Sequence, residues 1–264
     1  MAEIVDESDL PLEKPRPFRL DWILPVLFRP RKAMGEVART DPPAWLVPML
    51  LISLLAVIAV LLAGPLRIQQ LLSQPPQLPP EFQYMSPDQQ QKYLEAAQPN
   101  TGGMFIYGFP ALGALMGIWL TWFVLGGLLH LGLTMQGGRS SRGADFNVAA
   151  WAMLPIAVRY LVQSVYMLAS RTLITQPGLS GFAPPEATGG MAYLAALLAL
   201  IDLYWIWQTV LLAIGASHGS GLARGKAVGA ALTVSVLVLL LSALPGFGAS
   251  ALSGLTVTRP FFLF

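Results

Sequence analysis

Residues 44–64 read AWLVPMLLISLLAVIAVLLAG, a run without a single charged side chain. About 20 mostly apolar residues is the length of an α-helix that crosses the hydrocarbon core of a bilayer. Four further runs of that kind follow, at roughly 105–134, 146–170, 191–217 and 227–248. In lipid every backbone polar group must find its partner within the protein, so a spanning segment is a helix or a strand of a closed barrel. Runs this long are about twice the length of a barrel strand. The expected fold is therefore an all-α membrane protein with about five transmembrane helices.

Composition agrees with that reading. Of 264 residues, 55% are hydrophobic and 11% charged, with a mean hydropathy of +0.59. An ordinary soluble domain carries about 25% charged residues. A formal net charge of +2 is too small to point to nucleic acid, and the basic residues gather beside the apolar runs. Cysteine is absent, which excludes disulfides, thiolate metal sites and cysteine nucleophiles. The acidic start MAEIVDESDLPLE lacks the basic and apolar regions of a cleavable signal, so the first long run is expected to remain as an anchor.

Lysine and arginine set the orientation. Eleven of the sixteen fall in the N-terminal segment and the 135–145 and 218–226 loops. Arg67, Lys92, Arg171 and Arg259 fall on the other side, and Arg159 lies within a run. The positive-inside rule predicts a multi-pass protein of the cell inner or plasma membrane, N-terminus cytoplasmic and C-terminus outside. The domain reading is a flexible acidic tail at 1–16, an interfacial amphipathic segment at 17–42, a five-span membrane domain at 43–250 and a tail at 251–264. An outer loop at 65–103 carries SPDQQQKYLEAA, where Ser86 as N-cap and Pro87 as first helical residue predict a short surface helix near 87–97. In the 17–42 segment, Trp22, Arg29, Arg31 and Lys32 combine an apolar anchor with cations and are expected at the membrane surface, with a short helix opened by Pro30.

Polar residues inside the spans are the candidate site. A charge in hydrocarbon is costly unless paired or wet. Arg159 on the third span and Asp202 on the fourth lie at matching depths on antiparallel helices, about 16 Å below the outer surface at 1.5 Å per residue. Gln163 shares the face of Arg159, and Thr209 that of Asp202. Pairing as a structural staple and lining of a polar path are both open. His130 and His218 make a poor metal site, so no metal or other cofactor is expected. Gly215-Ala216-Ser217-His218-Gly219 matches G-x-S-x-G, but that motif works on a strand–turn–helix and here ends an apolar helix. Gly113/Gly117 and Gly225/Gly229 have the spacing of close helix contacts, expected to serve packing within the chain.

Three stretches together resemble the Yip family, named for members that interact with Ypt/Rab GTPases. They are Phe28-Arg29-Pro30-Arg31-Lys32-Ala33 before the first span, then His130 to Gly138 followed by Phe146 to Pro155, and last Trp205/Trp207 leading into Gly219-Ser220-Gly221-Leu222-Ala223. The resemblance covers about 30–250 and implies a five-span helical fold with a cytoplasmic N-terminus. The D-L-Y-G-P signature of the eukaryotic branch is replaced by Asp202-Leu203-Tyr204-Trp205, and no GTPase-binding residue carries over. Some bacterial relatives accompany ABC-type efflux systems, which implies a bacterial scaffold or accessory subunit with membrane-protein partners, or a role in membrane trafficking or organisation. The chain is expected not to be an enzyme, and its partners are the lipid bilayer and other membrane proteins. The alternative is a small solute or ion transporter or channel with Arg159 and Asp202 in its path.

Overall fold

A computed structural model describes residues 18–73, 78–184 and 189–253. The acidic tail at 1–16, Arg259 and most of the 251–264 tail lie outside them. Among the described residues all regular structure is helical: α1 (Ile23–Phe28), α2 (Pro30–Val37), α3 (Leu46–Ser73), α4 (Pro87–Ala96), α5 (Phe109–Met135), α6 (Arg142–Ala152), α7 (Leu154–Ser170), α8 (Gly190–Leu200), α9 (Leu203–Gly219) and α10 (Arg224–Ser253). Four stretches are long and apolar enough to cross a membrane: Leu46–Ser73, Met104–Met135, Arg142–Ser170 and Arg224–Gly248. The pair α8 and α9, bent by 69° between them, makes a fifth when its two helices count as one broken span, which is then the fourth crossing in chain order. The chain is an all-α membrane protein with four to five spans.

Two expected boundaries shift. The first span runs on through Pro65 to Ser73, so 65–73 is helix and not the start of the outer loop. The third begins at Arg142 instead of 146, because Ser141 caps α6 by accepting the Ala144 N–H. The surface helix is α4, opened by Pro87 and closed into a capping box by Ser86 and Gln89. Each satisfies an N–H that the helix start would otherwise leave unpaired.

In the bundle, α10 packs on α5, α8 and α9, while α3 packs on α5 and α7. Helix α6 lies against both α5 and α9, and α2 against α9 and α6. Trp151, Met153 and Leu154 are completely buried at the α6–α7 joint. Side chains such as Leu54, Leu120 and Val165 are exposed on the outside of the bundle, where a spanning protein meets lipid.

Glycines mark the close approaches, although not at Gly117, Gly225 and Gly229 of the G-x-x-x-G pairs. A Cβ at Gly117, Gly225 or Gly229 would meet nothing within 4 Å, so these positions are not close helix contacts in the chain. At Gly215 it would stand 2.5 Å from Val148 Cγ1, where α9 presses on α6. At Gly126 it would stand 2.9 Å from the Phe146 ring. We expect Gly215→Ala to cost about 1–3 kcal/mol through overpacking, and Gly117→Ala to change stability by no more than about 0.5 kcal/mol. Thermal unfolding of the purified variants in detergent compares the two.

Candidate functional site

The fourth crossing breaks at its carboxylate. The sequence around the break, LALIDLYW, is apolar apart from Asp202. An aspartate side chain competes for backbone N–H groups and so favours a helix start over a helix interior. Asp202 is extended (φ −142°, ψ −180°), and its Oδ1 accepts the Trp205 N–H at 2.8 Å, capping α9. Its Oδ2 stands 3.3 Å from Arg159 Nε on α7, with side-chain exposures of 16% for the arginine and 14% for the aspartate. The loop after α7 supports the other half of the break. Gly178, at φ +57°, brings its backbone against the carbonyls of Leu198, Ala199 and Ile201, and the Leu179 N–H donates to Leu198 O at 2.9 Å.

Arg159 and Asp202 are therefore brought together, but not as two points on continuous antiparallel helices. With 17 residues, α9 spans about 25 Å from Gly219 to the break, most of a ~30 Å hydrocarbon core. At 69° to it, α8 adds only about 6 Å along that axis. The break thus stands about 25 Å along α9 from Gly219, beside Arg159 in the body of the third span, Arg142–Ser170. Thr209 is buried and turns its hydroxyl back to Trp205 O at 2.9 Å. Gln163 lines an open cavity of about 400 Å³ with Tyr166, Leu173 and Gln176, separate from the pair.

The N-terminal segment is docked into the bundle. Trp22, expected at the membrane surface, is buried at 3% exposure and meets Trp151 edge to face at 5.6 Å. The segment is amphipathic, but its inward face of Trp22, Val26, Met34 and Val37 covers protein. Arg29, Arg31 and Lys32 are exposed, beside exposed Leu24 and Phe28.

What holds the segment is a polar anchor on α6. Buried Asn147 accepts the Ala44 N–H at 2.9 Å and donates to Thr40 O and Pro42 O at 2.8 and 2.9 Å. Trp151 Nε1 donates to Ala44 O at 3.0 Å. The link between α2 and α3 is thus fixed through four backbone groups that would otherwise be orphaned. Two residues before Asn147, buried Asp145 pairs with His130 Nδ1 of α5 at 2.7 Å and accepts the Ser140 hydroxyl at 2.8 Å. Ser217 donates to Ala213 O at 2.7 Å, and His218 Nδ1 bonds Ile214 O. Ser217 and His130 are thus engaged with other groups, not with each other. Among the described residues no three His, Cys, Asp or Glu side chains group as metal ligands.

This anchor falls on the passage from His130 to Pro155. The Yip1 domain matches residues 24–244, from the start of α1 to the body of α10. The chain belongs to the Yip family. No curated protein and no solved structure matches it significantly. In this Yip1 domain the glycine passage has a structural role. Gly137 turns the chain at φ +87°, the Gly138 N–H closes α5 on Leu133 O, and Arg139 N–H reaches Ser220 O of the last linker at 3.0 Å.

Reading the sequence for charges inside apolar runs finds Arg159 and Asp202 but misses Asp145, Asn147 and the partner of His130. The signal for them is two pairs of hydrogen-bonding side chains at i, i+4 spacing, Ser141/Asp145 and Asn147/Trp151, in a segment that also buries alanines. The staple at the break gives a direct test. Arg159→Leu should destabilise the protein by about 3–5 kcal/mol by leaving a carboxylate unpaired. Asp202→Asn keeps a capping oxygen, so pairing it with Arg159→Leu should recover much of that loss, whereas Asp202→Ala with Arg159→Leu should remain about 1 kcal/mol worse for the lost cap. Thermal unfolding in detergent orders the three.

Proposed function

We propose that this Yip-family chain is a non-enzymatic scaffold or accessory subunit of a membrane complex in the inner or plasma membrane of a bacterium. In this reading the N-terminal segment is cytoplasmic, the C-terminus is outside, and the partners are the bilayer and another membrane protein such as an ABC-type efflux transporter. One observation carries it: both carboxylates within the spans are already used. Asp202 caps α9 and pairs with Arg159, and Asp145 is consumed by His130 and Ser140. A carrier needs an intramembrane charge free to change partners, and a scaffold does not. The lysine and arginine distribution supports the orientation.

The second reading, a small solute or ion transporter, draws on the broken fourth crossing, since discontinuous helices build transporter sites. Reconstitution separates the two. In vesicles the chain alone should leave ion and small-solute gradients intact, and purification in mild detergent should retain a membrane-protein partner in fixed stoichiometry. A leak that disappears in Arg159→Leu with Asp202→Asn would establish the transporter instead. For the orientation, the chain has no cysteine of its own. On intact cells Gln91→Cys should react with an impermeant thiol reagent and Gln136→Cys should not; the reverse labelling would invert the topology.

A further inference from the structure

Where α2 meets α9 and the start of α10, an open groove of about 480 Å³ runs from the end of the bundle down its outer face. Arg31 of α2 and Arg224 of α10 stand at its mouth beside His218. No carboxylate lines it, and among the described residues neither arginine has an ion-pair partner. Its polar hydroxyls are already satisfied: Thr209 and Ser217 each turn back to a carbonyl one helical turn earlier. Below the mouth the walls are apolar, with Val210, Ile214 and Leu232 among them, and Val210 and Leu232 stand about half exposed on the outer surface. Along either helix, the distance from the cationic end (His218 or Arg224) to Val210 or Leu232 is about 12 Å.

We infer that this groove is a binding site for one anionic glycerophospholipid. Two unpaired guanidiniums suit a phosphate, which they can bind bidentately, and the apolar strip suits the first part of an acyl chain. A free phosphate would use the mouth and leave the strip uncovered. The cationic mouth lies at the end of the crossing where a headgroup sits, and its strip faces the side that lipid occupies. The arrangement differs from general attraction of Arg29 and Lys32 to an anionic surface, because those two side chains do not line the groove. It holds whichever partner the protein serves.

Native mass spectrometry of the full chain, released from detergent micelles containing dioleoylphosphatidylglycerol or dioleoylphosphatidylcholine, tests the site. One phosphatidylglycerol should be retained per chain, favoured by at least about tenfold over phosphatidylcholine. Arg31→Gln with Arg224→Gln should lower that retention about tenfold or more. Arg29→Gln with Lys32→Gln removes as much charge from the neighbouring surface and should leave it within about twofold. Ala213→Trp fills the groove while keeping both charges and should also abolish retention; Val228→Trp serves if that variant unfolds. Equal retention of the two lipids, equal loss in the Arg29/Lys32 variant, or retention unmoved by the tryptophan would overturn the site. Displacement by millimolar inorganic phosphate would assign the mouth to free phosphate, and a second copy of the chain in place of lipid would assign the strip to a protein helix. Either result overturns the lipid assignment.

Discussion

A carboxylate inside a membrane must find partners for its charge, and Asp202 finds two at once. One oxygen takes the Trp205 N–H at the start of α9 and the other faces Arg159. That double use explains why the fourth crossing is two helices. A helix start leaves N–H groups unpaired and exposes a partial positive charge, which an aspartate neutralises. The opposite end, the C-terminus of α8, leaves carbonyls unpaired, and the loop at Gly178 and Leu179 closes on them. The lean of α8 across α10, the position of the loop after α7 and the contact of α7 with α9 all follow from this one junction.

The other end of the bundle is organised by α6. Its buried polar side chains bind backbone groups of the link before the first span, and its aspartate ties it to α5 through His130. Asp145, Asn147 and Trp151 of α6 each have a hydrogen-bond partner, which is the condition for a polar network to specify structure instead of weakening it; the buried Trp22 Nε1 that packs beside them has none among the described residues. The result is an N-terminal segment that belongs to the folded domain and holds Arg31 beside α9 and α10. The match to the Yip1 domain begins at residue 24, inside this segment. Its inclusion agrees with the packing, since Val26, Met34 and Val37 are core residues.

Hydropathy makes the four unbroken spans and the apolar α8–α9 pair legible, because length and scarcity of charge are properties of the run itself. It cannot show the break at Asp202, since α8 and α9 are equally apolar on both sides and only the backbone competition of one aspartate divides them. Trp22 misleads for a related reason: an amphipathic pattern says that one face is apolar, not whether lipid or protein covers it. The glycine pairs mislead because spacing places them on one face without saying that a helix lies opposite. Asp145 escapes because, counted as part of a loop, it shows no sign of burial until the structure brings it under His130. The Arg159–Asp202 contact is the part of the candidate site that matching distances from the helix ends bring within reach, even though the helix carrying Asp202 is not continuous.

The central claim is that Asp202 is a closed staple and not a station on a wet path. Amide hydrogen exchange at Trp205, followed by NMR on the full chain in nanodiscs, tests it most directly, because that N–H donates to the Asp202 carboxylate. The account predicts exchange as slow as that of Leu211 and Leu212, buried further along α9, and a marked acceleration in Arg159→Leu. Exchange at Trp205 as fast as in the exposed helix α4 of the unaltered protein would contradict it.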